Sequence, residues 1–326
     1  MKALVYDGPE TLGFRDVDKP VAREGEDLVR IEAVGICGSD MHAYLGHDDR
    51  RPAPLILGHE AAGIVEGGPR DGMRVTINPL VPCGTCEACT TGRVNICGTR
   101  QLISMPPREG AFAQYVAMPR ENLVEVPADV PLDKAALAEP LSVSWHTARL
   151  ALEALNPSMD RRALIVGGGA IGLAASLALK AMGLSDVTLV EPNDGRREFL
   201  TTRCGEVAVA QADGTYPLVI DAVGYAATRA VASAAAAPGG VIAHVGLGDG
   251  EGGLDIRRMT LQEITFIGTY CYTKQDFRDT AQAIFDGRLG SLDWFEPRAL
   301  ADGFQAFKDL RAGAVASPKI MLSPWG

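Results

Sequence analysis

The chain has 326 residues, of which 47% are hydrophobic and 22% are charged, and its formal net charge is -10 at pH 7. This length suits two domains better than one. Mixed charges with a negative sum argue against a nucleic-acid partner and against an anionic membrane surface, because both attract clustered lysine and arginine. No run approaches the roughly 20 uninterrupted apolar residues of a membrane span, and the N-terminal residues show no secretory signal. We therefore expect no membrane association and a cytoplasmic location.

The first part of the chain, up to about residue 135, is a series of short β-type segments separated by Gly, Pro and Asp. They include residues 28–34, 61–65, 74–77 and 113–116. Short segments of this kind at regular intervals predict a β domain of the barrel or sandwich type.

Four cysteines lie within fifteen residues in this first part, with the spacing C-x2-C-x2-C-x7-C: Cys83, Cys86, Cys89 and Cys97. Thiolates this close in sequence can converge on one tetrahedral ion, and a set of four is a closed structural zinc site. The alternative is a pair of disulfides, which a reducing cytoplasm disfavours. We therefore expect a structural zinc here and a catalytic site in another part of the chain.

From Leu132 the chain alternates helical patterns with continuous apolar strands. A helical stretch covers residues 132–155, a strand 163–166, a helix 170–182 and a strand 187–190, and further strand patterns follow at 218–221, 241–245 and 264–267. Strict alternation of strand and helix predicts a parallel sheet covered by helices on both faces. The tail, with a helix at 277–285 and a strand at 319–322, is predicted to return to the first domain.

A glycine-rich turn follows the first of these strands. Gly167, Gly169 and Gly172 form G-x-G-x-x-G, Ala170 and Ile171 open the next helix, and Glu191 comes nineteen residues after the last glycine. This pattern predicts a dinucleotide site with the pyrophosphate at the helix N-terminus and the ribose hydroxyls on the carboxylate.

The choice between the two nicotinamide dinucleotides depends on charge. Glu191 would repel a 2′-phosphate, so NAD is favoured over NADP. Arg196 and Arg197 follow soon after and keep NADP open as the alternative. These arginines could equally lie in a solvated first helical turn or beside the adenine.

A second set of possible metal ligands stands outside the four-cysteine segment. It consists of Cys37, the pair His59 and Glu60, and Glu139 in the stretch 138–142. A catalytic zinc takes three protein ligands and keeps one position for water or substrate. Spacing alone does not decide the matter, because these residues lie far apart in the chain.

Taken together, the run Cys37-Gly38-Ser39-Asp40, the run Gly58-His59-Glu60, the four-cysteine segment and the dinucleotide pattern resemble the zinc-containing medium-chain alcohol dehydrogenase family. Residues 138–142 resemble its polyol and threonine dehydrogenase branch. The resemblance implies an α/β fold in which a Rossmann doubly wound parallel sheet is inserted into a GroES-like β-barrel catalytic domain. It implies a catalytic domain of residues 1–145 and 273–326 that carries both zinc sites, and an NAD-binding domain of residues 146–272.

The resemblance also implies roles for individual residues. Cys37, His59 and Glu60 would bind a catalytic zinc, with Glu139 either binding directly or exchanging with Glu60. Ser39 and His42 would form a proton relay. Two zinc ions per chain follow, one catalytic and one structural, with NAD as the coenzyme.

The implied reaction is hydride transfer from a secondary alcohol, a polyol or sugar-derived alcohol, to NAD, which gives a ketone. L-Threonine 3-dehydrogenase or a butanediol-type dehydrogenase is an alternative, and a catalytically inactive nucleotide-binding relative is an alternative of another class. The run 263–268 resembles the edge strand through which family members pair, which implies a homodimer or a homotetramer.

Overall fold

The computed structural model describes residues 1–326, which divide into two compact units. The first unit comprises Met1–Glu139, Thr273–Asp286 and Phe295–Gly326, and the second comprises Pro140–Tyr272 and Gly287–Trp294. None of the helices has both the length and the apolar character that crossing a membrane requires.

The chain forms eighteen strands and ten α-helices. The strands are β1 (Lys2–Gly8), β2 (Thr11–Asp16), β3 (Glu26–Gly35), β4 (Leu55–Ile56), β5 (Glu60–Glu66), β6 (Arg74–Ile77), β7 (Leu80–Val81), β8 (Gln101–Leu102), β9 (Tyr115–Pro119), β10 (Leu123–Glu125), β11 (Arg162–Val166), β12 (Asp186–Val190), β13 (Val207–Val209), β14 (Tyr216–Asp221), β15 (Ala236–His244), β16 (Thr265–Gly268), β17 (Phe295–Ala299) and β18 (Lys319–Ser323). The helices are α1 (Gly38–Tyr44), α2 (Glu87–Thr90), α3 (Leu132–Ala136), α4 (Ala138–Ala154), α5 (Ala170–Ala181), α6 (Asp194–Arg203), α7 (Ala226–Ala235), α8 (Ile256–Leu261), α9 (Lys274–Phe285) and α10 (Gly303–Arg311).

The first unit is built on a seven-stranded sheet in the order β10-β6-β5-β3-β18-β17, with β9 also paired to β3. Most of β3 alternates buried and half-buried residues, as a strand with one face on a core does. β3 is antiparallel to both β5 and β18, so Gly35 lies opposite Glu60 on one side and Met321 on the other. Three segments that are distant in sequence therefore meet at one end of β3.

Aromatic rings fill part of the core of the first unit. The ring centroids of Tyr44 and Phe307 are 5.1 Å apart, and those of Phe112 and Phe307 are 6.0 Å apart. Tilted and edge-to-face contacts at these distances are the favoured arrangements for aromatic pairs. They anchor α1 and α10 beside the sheet.

The second unit contains the predicted parallel sheet, in the order β13-β12-β11-β14-β15-β16. All five strand pairs are parallel. Chain order reverses between β11 and β14, and ligands of such sheets bind outside the carboxyl ends of the strands at this switch point. The glycine-rich turn follows β11 directly and so lies at that point.

Two sequence-based expectations needed adjustment. The single helical stretch 132–155 is two helices, α3 and α4, separated at Leu137. Pro140 falls in the first turn of α4, where the missing N–H has no helical acceptor to lose. The hairpin of β1 and β2 and the strand β17 were not predicted. None of the three alternates buried and exposed residues: β1 is buried at four consecutive positions, β2 is mostly exposed, and β17 is mostly half-buried and contains a proline.

Candidate metal and coenzyme sites

Three of the predicted ligands converge in the first unit. The metal-binding atoms of Cys37, His59 and Glu60 all lie within 4.8 Å of one another. Cys37 caps the N-terminus of α1, and His59 and Glu60 stand at the start of β5. The pairing of β3 with β5 brings these two chain segments together. Glu139 is not part of this cluster.

The carboxylate of Glu60 has one paired oxygen and one unpaired oxygen. Its Oε1 accepts a hydrogen bond of 2.6 Å from Lys319 Nζ, whereas its Oε2 is buried and has no hydrogen-bond partner. A Cβ on the opposing residue Gly35 would lie 2.1 Å from Oε2, so glycine at this position leaves room for the oxygen where it now stands. A buried carboxylate oxygen without a partner is costly, and a cation bound to it would remove that cost.

The donor set therefore fits a zinc ion. A thiolate, an imidazole and a carboxylate are ligands of catalytic zinc, and three of them leave a fourth position open.

Lys319 supplies a positive charge on the far side of Glu60. The residue is 3% exposed, and its Nζ also donates to the backbone oxygen of Ile36 at 3.0 Å. Burial disfavours the charged ammonium group, but Glu60, Cys37 and Glu139 outweigh this and raise the pKa of Lys319. Lys319 therefore stays charged and fixes one oxygen of Glu60.

Asp40 organises the other two residues of the cluster. Its carboxylate accepts hydrogen bonds from the backbone N–H of Cys37 at 3.0 Å and of Gly58 at 3.2 Å. Its Oδ1 lies 3.4 Å from His59 Nδ1. A carboxylate at one ring nitrogen orients an imidazole and leaves Nε2 for a metal.

The charges around His59 favour a cation. Burial opposes the charged imidazole, but Asp40 and Cys37 raise the pKa of His59 well above its ordinary value. Burial likewise opposes ionisation of Asp40, yet His59 and Arg51 lower its pKa. The electrostatic environment of the cluster thus stabilises positive charge at the place where zinc would bind.

The two residues of the predicted relay lie on α1. Ser39 is half-buried, and its Oγ is 3.4 Å from a terminal nitrogen of Arg51. His42 follows three residues later and is exposed, with its ring 6.5 Å from that of His47. Residues three apart on a helix share a face, so the two side chains leave α1 on the same side.

The four cysteines of the short-spaced segment also converge. Their sulfurs lie within 4.8 Å of one another, with 3.8 Å between Cys83 and Cys89 and 3.5 Å between Cys86 and Cys89. A tetrahedron with zinc–sulfur bonds of about 2.3 Å has edges of about 3.8 Å, so the segment fits one zinc ion. The backbone N–H groups of Thr85 and Cys86 lower the pKa of Cys83 to about 5. All seven cysteines are free, so the disulfide alternative is not formed.

The glycine-rich turn in the second unit has the geometry of an anion-binding turn. A Cβ on Gly172 would lie 1.8 Å from the backbone oxygen of Gly167, so this close approach requires glycine. Gly169 caps α5, with no atom within 4 Å of its hypothetical Cβ, and Ala170 and Ile171 are the first helical residues. The helix N-terminus is therefore open to a negatively charged group.

Glu191 follows β12 and is 5% exposed. Its two carboxylate oxygens accept hydrogen bonds from the backbone N–H groups of Gly168 at 3.1 Å and Asn193 at 2.9 Å. Arg196 approaches one of these oxygens at 3.8 Å, while Arg197 donates to the backbone oxygen of Glu191 at 2.9 Å. The carboxylate is thus fixed beside the glycine-rich turn.

Comparison with known proteins identifies the family. The family model "Alcohol dehydrogenase GroES-like domain" matches residues 23–128, and "Zinc-binding dehydrogenase" matches residues 170–286. The chain is 31% identical over 309 residues to L-galactonate-5-dehydrogenase of Escherichia coli, which covers 89% of this chain and 88% of that protein. The chain belongs to the zinc-containing medium-chain alcohol dehydrogenase family.

Two further members of this family are similar over nearly the whole chain. Probable D-xylulose reductase A of Aspergillus clavatus is 28% identical over 340 residues, covering 95% of this chain and 94% of that protein. The crystal structure of galactitol-1-phosphate dehydrogenase from Escherichia coli superposes with a TM-score of 0.88 at 25% identity, covering 99% of this chain and 100% of that chain.

These matches confirm several of the predictions: the medium-chain alcohol dehydrogenase family and its polyol branch, and the Rossmann and GroES-like fold class. The protein is a zinc-binding dehydrogenase that acts on an alcohol, with zinc and a nicotinamide dinucleotide as its cofactors. The roles of the individual residues stay predictions.

Two residues that contact Glu60 were not predicted from the sequence. Lys319 opens an apolar strand, and a lysine at a buried strand position is a signal, because lysine is almost never fully buried without a partner. Gly35 could be found only from the register of β3 and β5, since its importance lies in the space that it leaves for Glu60.

Proposed function

We propose that this protein oxidises a secondary alcohol group of a polyol, or of a sugar-derived acid or phosphate, to a ketone and transfers the hydride to NAD. The buried, unpartnered Oε2 of Glu60 beside Cys37 and His59 is the observation that carries this proposal. The substrate class follows from the relatives, since galactonate, xylulose and galactitol phosphate are all polyhydroxylated compounds.

The proposed site uses the side chains of the first unit. Cys37, His59 and Glu60 would hold the catalytic zinc. The second carboxylate, Glu139, would bind directly or exchange with Glu60; its charge also helps to raise the pKa of Lys319. Zinc in this position supplies a Lewis acid, which lowers the pKa of an alcohol. Ser39 accepts the proton of the substrate hydroxyl as it donates its own proton to the next group of the relay, and the exposed His42 releases a proton to solvent.

The proposed coenzyme is NAD in preference to NADP. The carboxylate of Glu191 is held by two backbone N–H groups and can still accept bonds from the ribose hydroxyls. A 2′-phosphate in the same place would meet its negative charge. Arg197 already donates to the backbone oxygens of Glu191 and Pro192, which leaves only Arg196 to attract that phosphate.

The test combines a substrate panel with metal analysis. Polyols, polyol phosphates, sugar acids, diols and threonine are offered with NAD, and NADH is followed by absorbance. We expect turnover with a polyhydroxylated substrate and two zinc ions per chain. Cys37→Ser should abolish turnover and lose one zinc, whereas the control Cys204→Ser, at the end of α6, should change neither. One zinc per wild-type chain without any turnover would instead identify a catalytically inactive relative.

The proposal includes a homodimer or homotetramer in the cytoplasm. β16 is the edge strand of its sheet, so one row of its backbone groups has no neighbouring strand, and Phe266 on it is 37% exposed. Pairing of two such edges would satisfy these groups. The predicted thiolate ligands require reduced cysteines, which fits the cytoplasm. Light scattering that shows a monomer at micromolar concentration would contradict the proposed assembly.

A further inference from the structure

Arg51 is a buried arginine that none of the roles above includes. Its side chain is 1% exposed, and it lies in the segment that connects α1 to β4. A guanidinium group carries five N–H donors and is costly to bury unless they are paired. The partners of these donors therefore indicate what Arg51 does.

The donors of Arg51 bind three neighbours. Nε donates to the backbone oxygen of Ser104 at 3.0 Å, and one terminal nitrogen donates to the backbone oxygen of Ser39 at 3.0 Å and to Asp48 Oδ2 at 2.9 Å. The other terminal nitrogen makes longer bonds to the hydroxyl oxygens of Ser39, at 3.4 Å, and Ser104, at 3.5 Å. One planar group therefore connects the relay helix to the segment that carries Ser104.

Ser104 in turn reaches the metal cluster. Its Oγ lies 3.4 Å from His59 Nδ1, and the residue is fully buried with a left-handed backbone at φ 71°. That conformation is uncommon for a residue other than glycine, and the bond from Arg51 to the backbone oxygen of Ser104 helps to hold it. Arg51 thus stands between the proposed proton acceptor and the proposed metal ligand.

The contact with the hydroxyl of Ser39 has a chemical consequence. A serine hydroxyl has one donor and two acceptor positions. With Arg51 donating to one acceptor position, one acceptor position is left for the substrate hydroxyl and the O–H is left to donate to the next group of the relay. From this geometry we infer that Arg51 is a positioning residue, which fixes the backbone and the hydroxyl of Ser39 between the substrate hydroxyl and the next group of the relay. This inference rests on the proposed alcohol oxidation.

The neighbouring arginine provides a matched control. Arg50 also pairs with Asp48, through bonds of 2.7 and 3.0 Å, but its side chain is 64% exposed. Arg50→Met therefore removes an arginine from the same turn and the same carboxylate without removing the contacts to Ser39 and Ser104. Arg51→Lys keeps a positive charge near Asp48 but lacks the planar guanidinium group whose donors reach both Ser39 and Ser104.

The experiment compares Arg51→Lys, Arg51→Met and Arg50→Met in the zinc-loaded enzyme with NAD and the best alcohol of the panel. General acid–base groups contribute about 10²–10⁴-fold, so we expect a loss of kcat of about 10- to 100-fold in both Arg51 variants. KM, coenzyme binding and the content of two zinc ions should be unchanged, and the solvent deuterium isotope effect on kcat should increase, because proton transfer becomes slower. Arg50→Met should resemble the wild type in every measurement.

A double-mutant cycle separates positioning from general structural support. If Arg51 acts through Ser39, Arg51→Lys should cause no further loss of kcat in a Ser39→Ala background. An undiminished loss in that background, loss of a zinc ion, or wild-type kinetics in Arg51→Lys would each overturn the inference. Should Arg51→Met not fold, Arg51→Lys and the cycle decide alone. Failure of the proposed function differs from all of these, because the wild-type enzyme would then turn over no alcohol.

Discussion

Replacing Gly35 by alanine should remove the catalytic zinc while leaving the fold intact. The new Cβ would lie 2.1 Å from Glu60 Oε2 and 3.3 Å from Glu60 Cβ. Non-bonded heavy atoms normally stay about 3.5 Å apart, so Oε2 has to move by more than about 1 Å. Metal–ligand distances are held to about 0.2 Å. The displaced carboxylate can therefore no longer bind zinc together with Cys37 and His59.

The expected loss of zinc affinity in Gly35→Ala can be estimated from milder changes at other zinc sites. Removal of a group that only supports a ligand weakens metal binding by about 10- to 100-fold, so loss of a direct ligand should weaken it at least as much. The assay is competition for zinc with a chromophoric chelator, followed by metal analysis after dialysis. We expect Gly35→Ala to retain one zinc per chain, held by Cys83, Cys86, Cys89 and Cys97.

The matched control is Gly38→Ala. Gly38 opens α1 in the same segment, and a Cβ there would meet no atom within 4 Å. Exchange of glycine for alanine in a helix changes stability by only about 0.5–1 kcal/mol, so this variant should keep two zinc ions. Two zinc ions bound with wild-type affinity in Gly35→Ala would refute the assignment of Glu60 as a ligand and favour Glu139 in its place.

Three further predictions concern other buried charges. Lys319→Met leaves the Glu60 carboxylate buried without its partner. This should lower the free energy of unfolding of the metal-free protein by about 3–5 kcal/mol, and that of the zinc-loaded protein by less. Denaturant titration measures both values. Glu191→Ala removes the proposed acceptor of the ribose hydroxyls. Hydrogen bonds to charged groups contribute about 1.5–3 kcal/mol, so KM for NAD should rise by at least about tenfold. Steady-state kinetics should also show that the preference for NAD over NADP has largely disappeared. Burial opposes ionisation of Asp221, but His244 and the backbone N–H groups that follow β14 lower its pKa. The ionised carboxylate therefore stabilises the folded protein. Its contribution to the free energy of unfolding is complete above the unfolded-state pKa of about 4 and is lost as the pH falls through the lower folded-state pKa. Asp221→Asn should therefore be less stable than the wild type near neutral pH, and the difference should shrink below about pH 4 in urea titrations; a constant difference would exclude a charge effect.

The second unit was more predictable from the sequence than the first. Its central strands β11 and β14 are mostly apolar and buried, so runs such as 163–166 are easily recognised, and the glycines of the dinucleotide turn have a fixed spacing. The four cysteines were equally clear, because their ligand spacing is local.

The metal cluster was predictable only in part. Cys37, His59 and Glu60 were found through a resemblance, since nothing local in the sequence joins residue 37 to residue 59. The roles of Lys319 and Gly35 depend on the register of three strands, β5, β3 and β18, and β18 is almost the whole chain away from the other two. Arg51 has no pattern at all in the sequence, because its role comes from burial and from the neighbours that its donors meet.

An anomalous difference map at the zinc edge, from crystals of the zinc-loaded protein, would show directly whether the chain holds a catalytic zinc. We expect two peaks per chain, one within the four sulfurs of the short-spaced cysteines and one at bonding distance from Cys37 Sγ, a ring nitrogen of His59 and the carboxylate of Glu60. A single peak among the four cysteines, with the side chains of the other cluster metal-free in excess zinc, would contradict this expectation.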